Sequence, residues 1–191
     1  EVLPFELDGV LPNGSPTFIA FEWIGDRNYL GELLHGKVAP DKPRRRGAGF
    51  TSIDFAIRFR DEDDKVHIIA GEWKYTEFYR RGENIRISKS GTDRLEIYRP
   101  HFNAAGCQIQ LGGINPEALF YDPFDQLMRQ QLLASAMEAA KEMSADIVSL
   151  LHVAPRANAE LMECITSPGL LGVGDDIHTI WGGLVEKRRF R

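Results

Sequence analysis

Cysteine is scarce in this chain. Cys107 and Cys164 are the two among 191 residues, and neither belongs to a CxxC pair. That pattern excludes a small secreted disulfide scaffold and a zinc site built on thiolates. Both cysteines read as buried thiols in a reducing compartment, so the expected location is the cytoplasm. Long apolar runs are also missing. None approaches the roughly 20 residues of a membrane-spanning helix, and no membrane partner is expected. The opening segment EVLPFELDGVLPNGSP has no basic region followed by an apolar one and does not read as a signal peptide. A start on Glu1 reads as a processed chain or a piece of a longer one. Positive charge is not in excess: a formal net charge of −5 argues against a protein that coats nucleic acid through bulk charge. Five histidines stand at 35, 67, 101, 152 and 178 without HExxH or paired spacing. The glycines near Gly47 and Gly172 carry no Walker lysine and no dinucleotide fingerprint, and there is no GxSxG elbow.

What is present suits a globular mixed α/β (α+β) chain: 43% hydrophobic residues, 27% charged, and enough length for one core. Residues 1–16 hold three prolines and two glycines and read as an entry loop, with 17–191 as a single domain. From Thr17 to about Leu34 an apolar stripe predicts a helix that Gly25 can split. Residues 35–49 are loop. In TSIDFAIRFR the residues Ile53, Phe55, Ile57 and Phe59 alternate with Asp54, Ala56 and Arg58, and VHIIAGEWKYTE returns after the turn RDEDDK. Beyond an extended excursion, DRLEIYRPHF predicts a short helix ended by Pro100, and CQIQL a short strand. A clear helix follows, with Asp122 as N-cap, Pro123 at the first position, and an end near Ser144. DIVSLLHVAP reads as a strand buried on both faces, 157–164 as a short helix, and TIWGGLVEKRRF as a final strand. The order is a mixed core and not a repeating βαβ wind.

Register decides whether the two long strands make a site. Pairing Arg60 with Val66 sets Asp54 opposite Glu72 and keeps apolar residues with apolar ones; a slip by one mixes the faces. In the favoured register Asp54, Glu72 and Lys74 meet. Two carboxylates side by side repel unless something positive lies between them. Mg²⁺, which takes hard oxygen ligands, would satisfy Asp54, Glu72 and the carbonyl of Trp73, and Lys74 would sit beside a metal-bound water. That is a phosphodiester-hydrolysing arrangement. The same three residue types also suit the polar side of an amphipathic hairpin, and the spacing alone leaves both readings open.

The residues Asp54 in SIDFAIRF and Glu72-Trp73-Lys74 in IIAGEWKYTE resemble the signature of the PD-(D/E)xK nuclease superfamily. Seventeen residues (55–71) separate Asp54 from Glu72, and the predicted order αβββαβ resembles the common core over roughly Thr17 to Val153. One departure is Ile53, where the name-giving motif has proline. The resemblance implies a restriction-endonuclease-like central mixed sheet flanked by helices. It also implies Mg (or Mn) as cofactor, DNA as partner, and hydrolysis of its phosphodiester bonds by an activated water. It implies a further acidic residue from the first helix, either Glu22 or Glu32, with Glu32 favoured and His35 nearby. Gln126 and Gln130, at i and i+4 on the later helix, would touch phosphate or hold a ligand carboxylate. Tyr79, Arg80 and Arg81 follow the active strand and are candidates to grip nucleic acid, as is Arg129. A homodimer is allowed. The alternative class is a catalytically inactive module of the same fold that binds nucleic acid or protein; a hydrolase of a small phosphorylated substrate is a third.

Overall fold

The alternation of apolar and polar residues over 53–75 folds as a hairpin, and its turn locks the register. The computed structural model describes residues 1–5, 17–34, 36–39, 50–77, 79 and 82–191. In chain order the strands are β1 (Val2–Leu3), β2 (Ile19–Trp23), β3 (Leu33–Leu34), β4 (Lys37–Val38), β5 (Ile53–Arg60), β6 (Val66–Trp73) and β7 (Ile147–Val153). The helices are α1 (Arg94–Phe102), α2 (Phe124–Ala139), α3 (Ala159–Met162) and α4 (Ile177–Gly183). Asp61 opens the turn between β5 and β6. Its Oδ1 accepts from the backbone N–H groups of Asp63 and Lys65, and its Oδ2 lies 2.7 Å from His67 Nε2. Such an Asx turn holds its own loop. It fixes Arg60 opposite Val66, the expected pairing, and the ladder runs on to Phe55 opposite Gly71.

Around this hairpin the sheet is mixed. β1 and β2 pair antiparallel with β5, β5 with β6, and β6 runs parallel to β7. One face is buried. Ala56 on β5, Ile68 and Ala70 on β6, and Val148 and Leu150 on β7 are all at most 1% exposed. Small residues at 56 and 70 leave room for α2, whose Leu127, Met128, Leu132 and Met137 are buried. Each such side chain contributes roughly 1.5–3 kcal/mol on burial. α1 adds Leu95 and Tyr98, and Trp181 of α4 lies 6.4 Å from the Phe124 ring. The opposite face is open at one end, where Phe21 is 74% and Trp73 56% exposed. There the Phe55 ring covers Gly71, the one residue that leaves space for it.

Several sequence expectations are corrected. Residues 17–34 do not form a helix. Ile19–Trp23 is a strand, because its aromatic and β-branched residues suit edge pairing with β5 better than a helical stripe suits them. The leading helix of the predicted αβββαβ order is therefore absent among the described residues. The expected hairpin, the later helix and the strand after it are present as β5, β6, α2 and β7, while β2 comes from the segment expected to be helix. CQIQL makes an isolated bridge, Ile109 to Val185, because the buried Gln108 side chain is drawn to Glu138 and the Val148 carbonyl. The tail does not start with a strand: Asp176 accepts from Thr179 N and starts α4 instead. Only its last residues join the sheet, where Arg191 N donates to Leu150 O. Pro100 lies within α1, and α2 ends at Ala139. Val2 and Leu3, read as loop, pair with Phe59 and Arg58. No described helix is long and apolar enough to cross a membrane.

Candidate active site at the end of the hairpin

The register carries a row of polar residues across four strands on the buried face. Glu72 pairs with His152 of β7. One step beyond the Phe55–Gly71 pair, Asp54 stands at the level of Glu72, and its Oδ2 accepts from Trp73 N at 2.7 Å. Glu22 lies between Phe21 and Trp23, which pair with Phe55 and Ile53, so it stands at the level of Asp54. It does so with a left-handed backbone, φ 54. The hairpin turn six residue pairs away thus decides which side chains meet here.

Glu72 is the centre of the site. It is 2% exposed, and three donors converge on its carboxylate. Gln126 Nε2 donates to Oε1 at 2.6 Å, Gln130 Nε2 to Oε2 at 2.5 Å, and Lys74 Nζ lies 2.6 Å from Oε1. Both glutamines come from one face of α2, one turn apart, as their spacing predicts. Both donate to the Glu72 carboxylate. Lys74 sits just past the end of β6, where its N–H donates to Val153 O and fixes the backbone.

Burial pushes the Glu72 carboxyl above the ordinary 4.5, against the pull of Lys74 and Gln130, and the Asp54 charge adds to the rise. Burial also works against a charge on Lys74, but the hydrogen bond and charge of Glu72 outweigh it and lift its pKa. Lys74 is therefore a cation at neutral pH, suited to orient and donate and not to abstract a proton. Tyr79, half-buried, is raised by burial and lies within electrostatic reach of Lys74.

Glu32 is not part of this row. It lies on no helix and is 5% exposed. Thr51 N donates to it at 2.7 Å, Thr51 Oγ1 at 2.5 Å and Tyr98 OH at 3.0 Å. Among the described residues no three His, Cys, Asp or Glu side chains gather as a metal shell, so neither Glu32 nor Glu22 closes one with Asp54 and Glu72 in this conformation. Glu22, the candidate not favoured from sequence, has the nearer strand position. Arg129 bonds Asp125 and Thr51. His35, Arg80 and Arg81 lie outside the described residues. Cys107 and Cys164 are half-buried thiols, each donating to a carbonyl and each raised by burial.

His152 is a residue that sequence reasoning passed over. Burial, then His178 and Lys74, push it down to about 4, so it is neutral, and its Nδ1 lies 2.8 Å from His178 Nε2. The signal was a lone histidine in the apolar run LLHVAP. Asp122, read only as a helix cap, is half-buried, raised by burial, and within electrostatic reach of Lys74.

The donor chemistry fits a hard divalent cation. Asp54 and Glu72 are carboxylates at one level, and Asp54 Oδ1 takes no hydrogen bond among the described residues. The rise that Asp54 imposes on Glu72 is the like-charge strain a cation relieves.

A central mixed sheet with helices packed against it is a restriction-endonuclease-like architecture. The family model of restriction endonucleases associating with ARP matches residues 4–177, and the chain belongs to that family. Domains of this kind typically use divalent metals. No curated protein and no solved structure matches the chain.

Proposed function

We propose that this chain is a metal-dependent nuclease that hydrolyses DNA phosphodiester bonds, acting in the cytoplasm as one domain over 17–191. The observation that carries the reading is the buried Glu72 carboxylate, aimed by Gln126, Gln130 and Lys74 at the level of Asp54. Asp54, Glu72 and the Trp73 carbonyl would hold Mg²⁺ or Mn²⁺, which supplies an acidified water and polarises the phosphate when bound. The protein's own part is orientation. Gln126 and Gln130 fix the rotamer of Glu72, and the Trp73 N–H fixes Asp54. Lys74, kept protonated by Glu72, has N–H groups to offer a nucleophilic water or a phosphate oxygen, where charge grows in the transition state.

The test is cleavage of linear and circular DNA with Mg²⁺, with Mn²⁺ and with a chelator. Cleavage is expected with either ion and lost with the chelator, and Lys74→Ala and Asp54→Ala are each expected to reduce it by at least about 10²-fold. Full activity in either variant overturns the reading. One observation favours a second reading, an inactive binding module: Lys74 and Gln126 both occupy Glu72 Oε1. Calorimetric titration separates the two, since a module of that kind takes up no divalent ion at Asp54 and Glu72.

A further inference from the structure

A pocket of about 500 Å³ is lined by polar residues Glu32, Ser88, Ser90, Thr92, Arg94 and Arg129, among others. It lies outside the Asp54–Glu72 row, yet Arg129 stands between Gln126 and Gln130 on α2, the helix that aims Glu72. Two groups of donors meet in it. The first is a turn, closed by Ser88 N donating to Thr92 O and Gly91 N to Ser88 O, both at 2.9 Å. It sets three hydroxyls side by side: Ser88 Oγ lies 2.9 Å from Ser90 Oγ, which lies 3.5 Å from Thr92 Oγ1. The N-terminus of α1 beside it is already capped by Asp93, whose side chain accepts from Leu95 N.

The second group is a pair of guanidiniums. Arg94 Nη2 and Arg129 Nε share Asp125 Oδ2 at 3.2 and 2.9 Å, Arg94 Nη1 donates to Ile85 O, and Arg129 Nη1 to Thr51 Oγ1. These anchors aim both groups and leave each with N–H groups to spare, since a guanidinium carries five. Asp125 offsets one positive charge and Glu32 the other, and the Glu32 oxygens are turned to Thr51 and Tyr98. The pocket is thus lined by two guanidiniums whose charges are offset nearby and by three hydroxyls. Such a donor set matches a tetrahedral oxyanion, with its several acceptor oxygens, better than it matches a cation or an apolar group.

We propose that this pocket binds a phosphate group of the polynucleotide, distinct from the one that is cleaved, and so positions the strand along α2. The inference rests on the nuclease reading for the class of ligand. The group bound is an internal phosphodiester or a terminal phosphomonoester; the chemistry of recognition is shared.

The experiment follows arginine side-chain and Ser88–Thr92 backbone resonances by NMR in the full chain carrying Lys74→Ala, so that DNA is not consumed. The probes are inorganic phosphate and a short oligodeoxynucleotide with and without a 5′-phosphate. Saturable shifts at Arg94, Ser90 and Thr92 are expected. The pair Ser90→Ala with Thr92→Val should weaken binding about tenfold and, without Lys74→Ala, raise the KM for DNA by a similar factor with kcat within about twofold. Tighter binding of the phosphorylated oligonucleotide assigns a strand end; equal binding assigns an internal diester. Absence of shifts, or shifts that the Ser90/Thr92 pair leaves unchanged, overturns the proposal. Phosphate binding without oligonucleotide binding overturns the polynucleotide as ligand. The nuclease reading fails separately, if the unmodified chain cleaves no DNA in the presence of Mg²⁺ or Mn²⁺.

Discussion

Two buried glutamates in this molecule have the same count of hydrogen bonds and opposite meanings. Glu32 and Glu72 are 5% and 2% exposed, and each accepts from three donors. Glu32 is held by a backbone N–H and two neutral hydroxyls, all from residues whose own positions it fixes: Thr51 at the entry to β5 and Tyr98 of α1. It staples two elements together. Glu72 is held by two amides that reach from α2 and by a lysine two residues on, just past the end of its strand, with a second carboxylate at its level. That environment keeps both a charge repulsion and a cation in place. Burial and saturation by hydrogen bonds do not mark a site. What sets Glu72 apart is partners that leave an electrostatic conflict standing, the kind of feature that marks a candidate site.

The largest effect that sharpens this contrast comes from paired isosteric changes. Glu72→Gln is expected to lower DNA cleavage by more than about 10²-fold, since it removes a cation-holding oxygen and leaves Lys74 without its counter-charge. Glu32→Gln is expected to leave kcat within about tenfold but to lower unfolding free energy by about 1–3 kcal/mol, because an amide turns a donor toward Thr51 or Tyr98. Cleavage kinetics and urea unfolding on both variants decide it; equal loss of activity in the two would dissolve the contrast.

A smaller effect lies in the pH profile. In the proposed reaction Glu72 acts in its ionised form, and burial sets its pKa above the ordinary 4.5. Cleavage is therefore expected to fall as pH drops through a value above the usual glutamate range. Gln130 works to lower that pKa, so Gln130→Ala should move the acid limb to higher pH. The linkage sign is the reverse for folding: ionised Glu72 opposes folding, and that cost is relieved as pH falls through its folded value. An acid limb that stays in place in Gln130→Ala would place control of activity elsewhere.

The smallest effect tests the strand itself. A Cβ at position 71 would overlap the Phe55 ring, so Gly71→Ala is expected to cost about 1–3 kcal/mol of stability, read as a fall in the urea midpoint. Phe55→Leu in the same chain should recover part of it. If Gly71→Ala costs nothing, the pairing next to Asp54 and Glu72 is looser than the ladder implies.

Much of the site was legible because it depends on short-range pattern. Alternation over 53–75 and an Asx turn at Asp61 are local, and together they dictate which residues face each other. The i, i+4 spacing of Gln126 and Gln130 similarly placed both amides on one helical face. The segment Thr17–Leu34 misled because its apolar spacing tolerates two periods, and only the β5 edge, some thirty residues later in the chain, chose the strand. That choice set Glu22 beside Asp54 and carried Glu32 to Thr51 and Tyr98. His152 was invisible as a site neighbour for the same reason, since its place next to Glu72 exists only through a parallel pairing across α1 and α2.

By itself the amino-acid order determined the hairpin, its register and the polar residues that meet at its end, since each follows from contacts between residues near in sequence. Only tertiary structure decided which carboxylate staples two elements together and which is left beside a second carboxylate and a lysine. Desolvation, and the distant partners that meet a buried charge, come into being when elements far apart in the chain pack together.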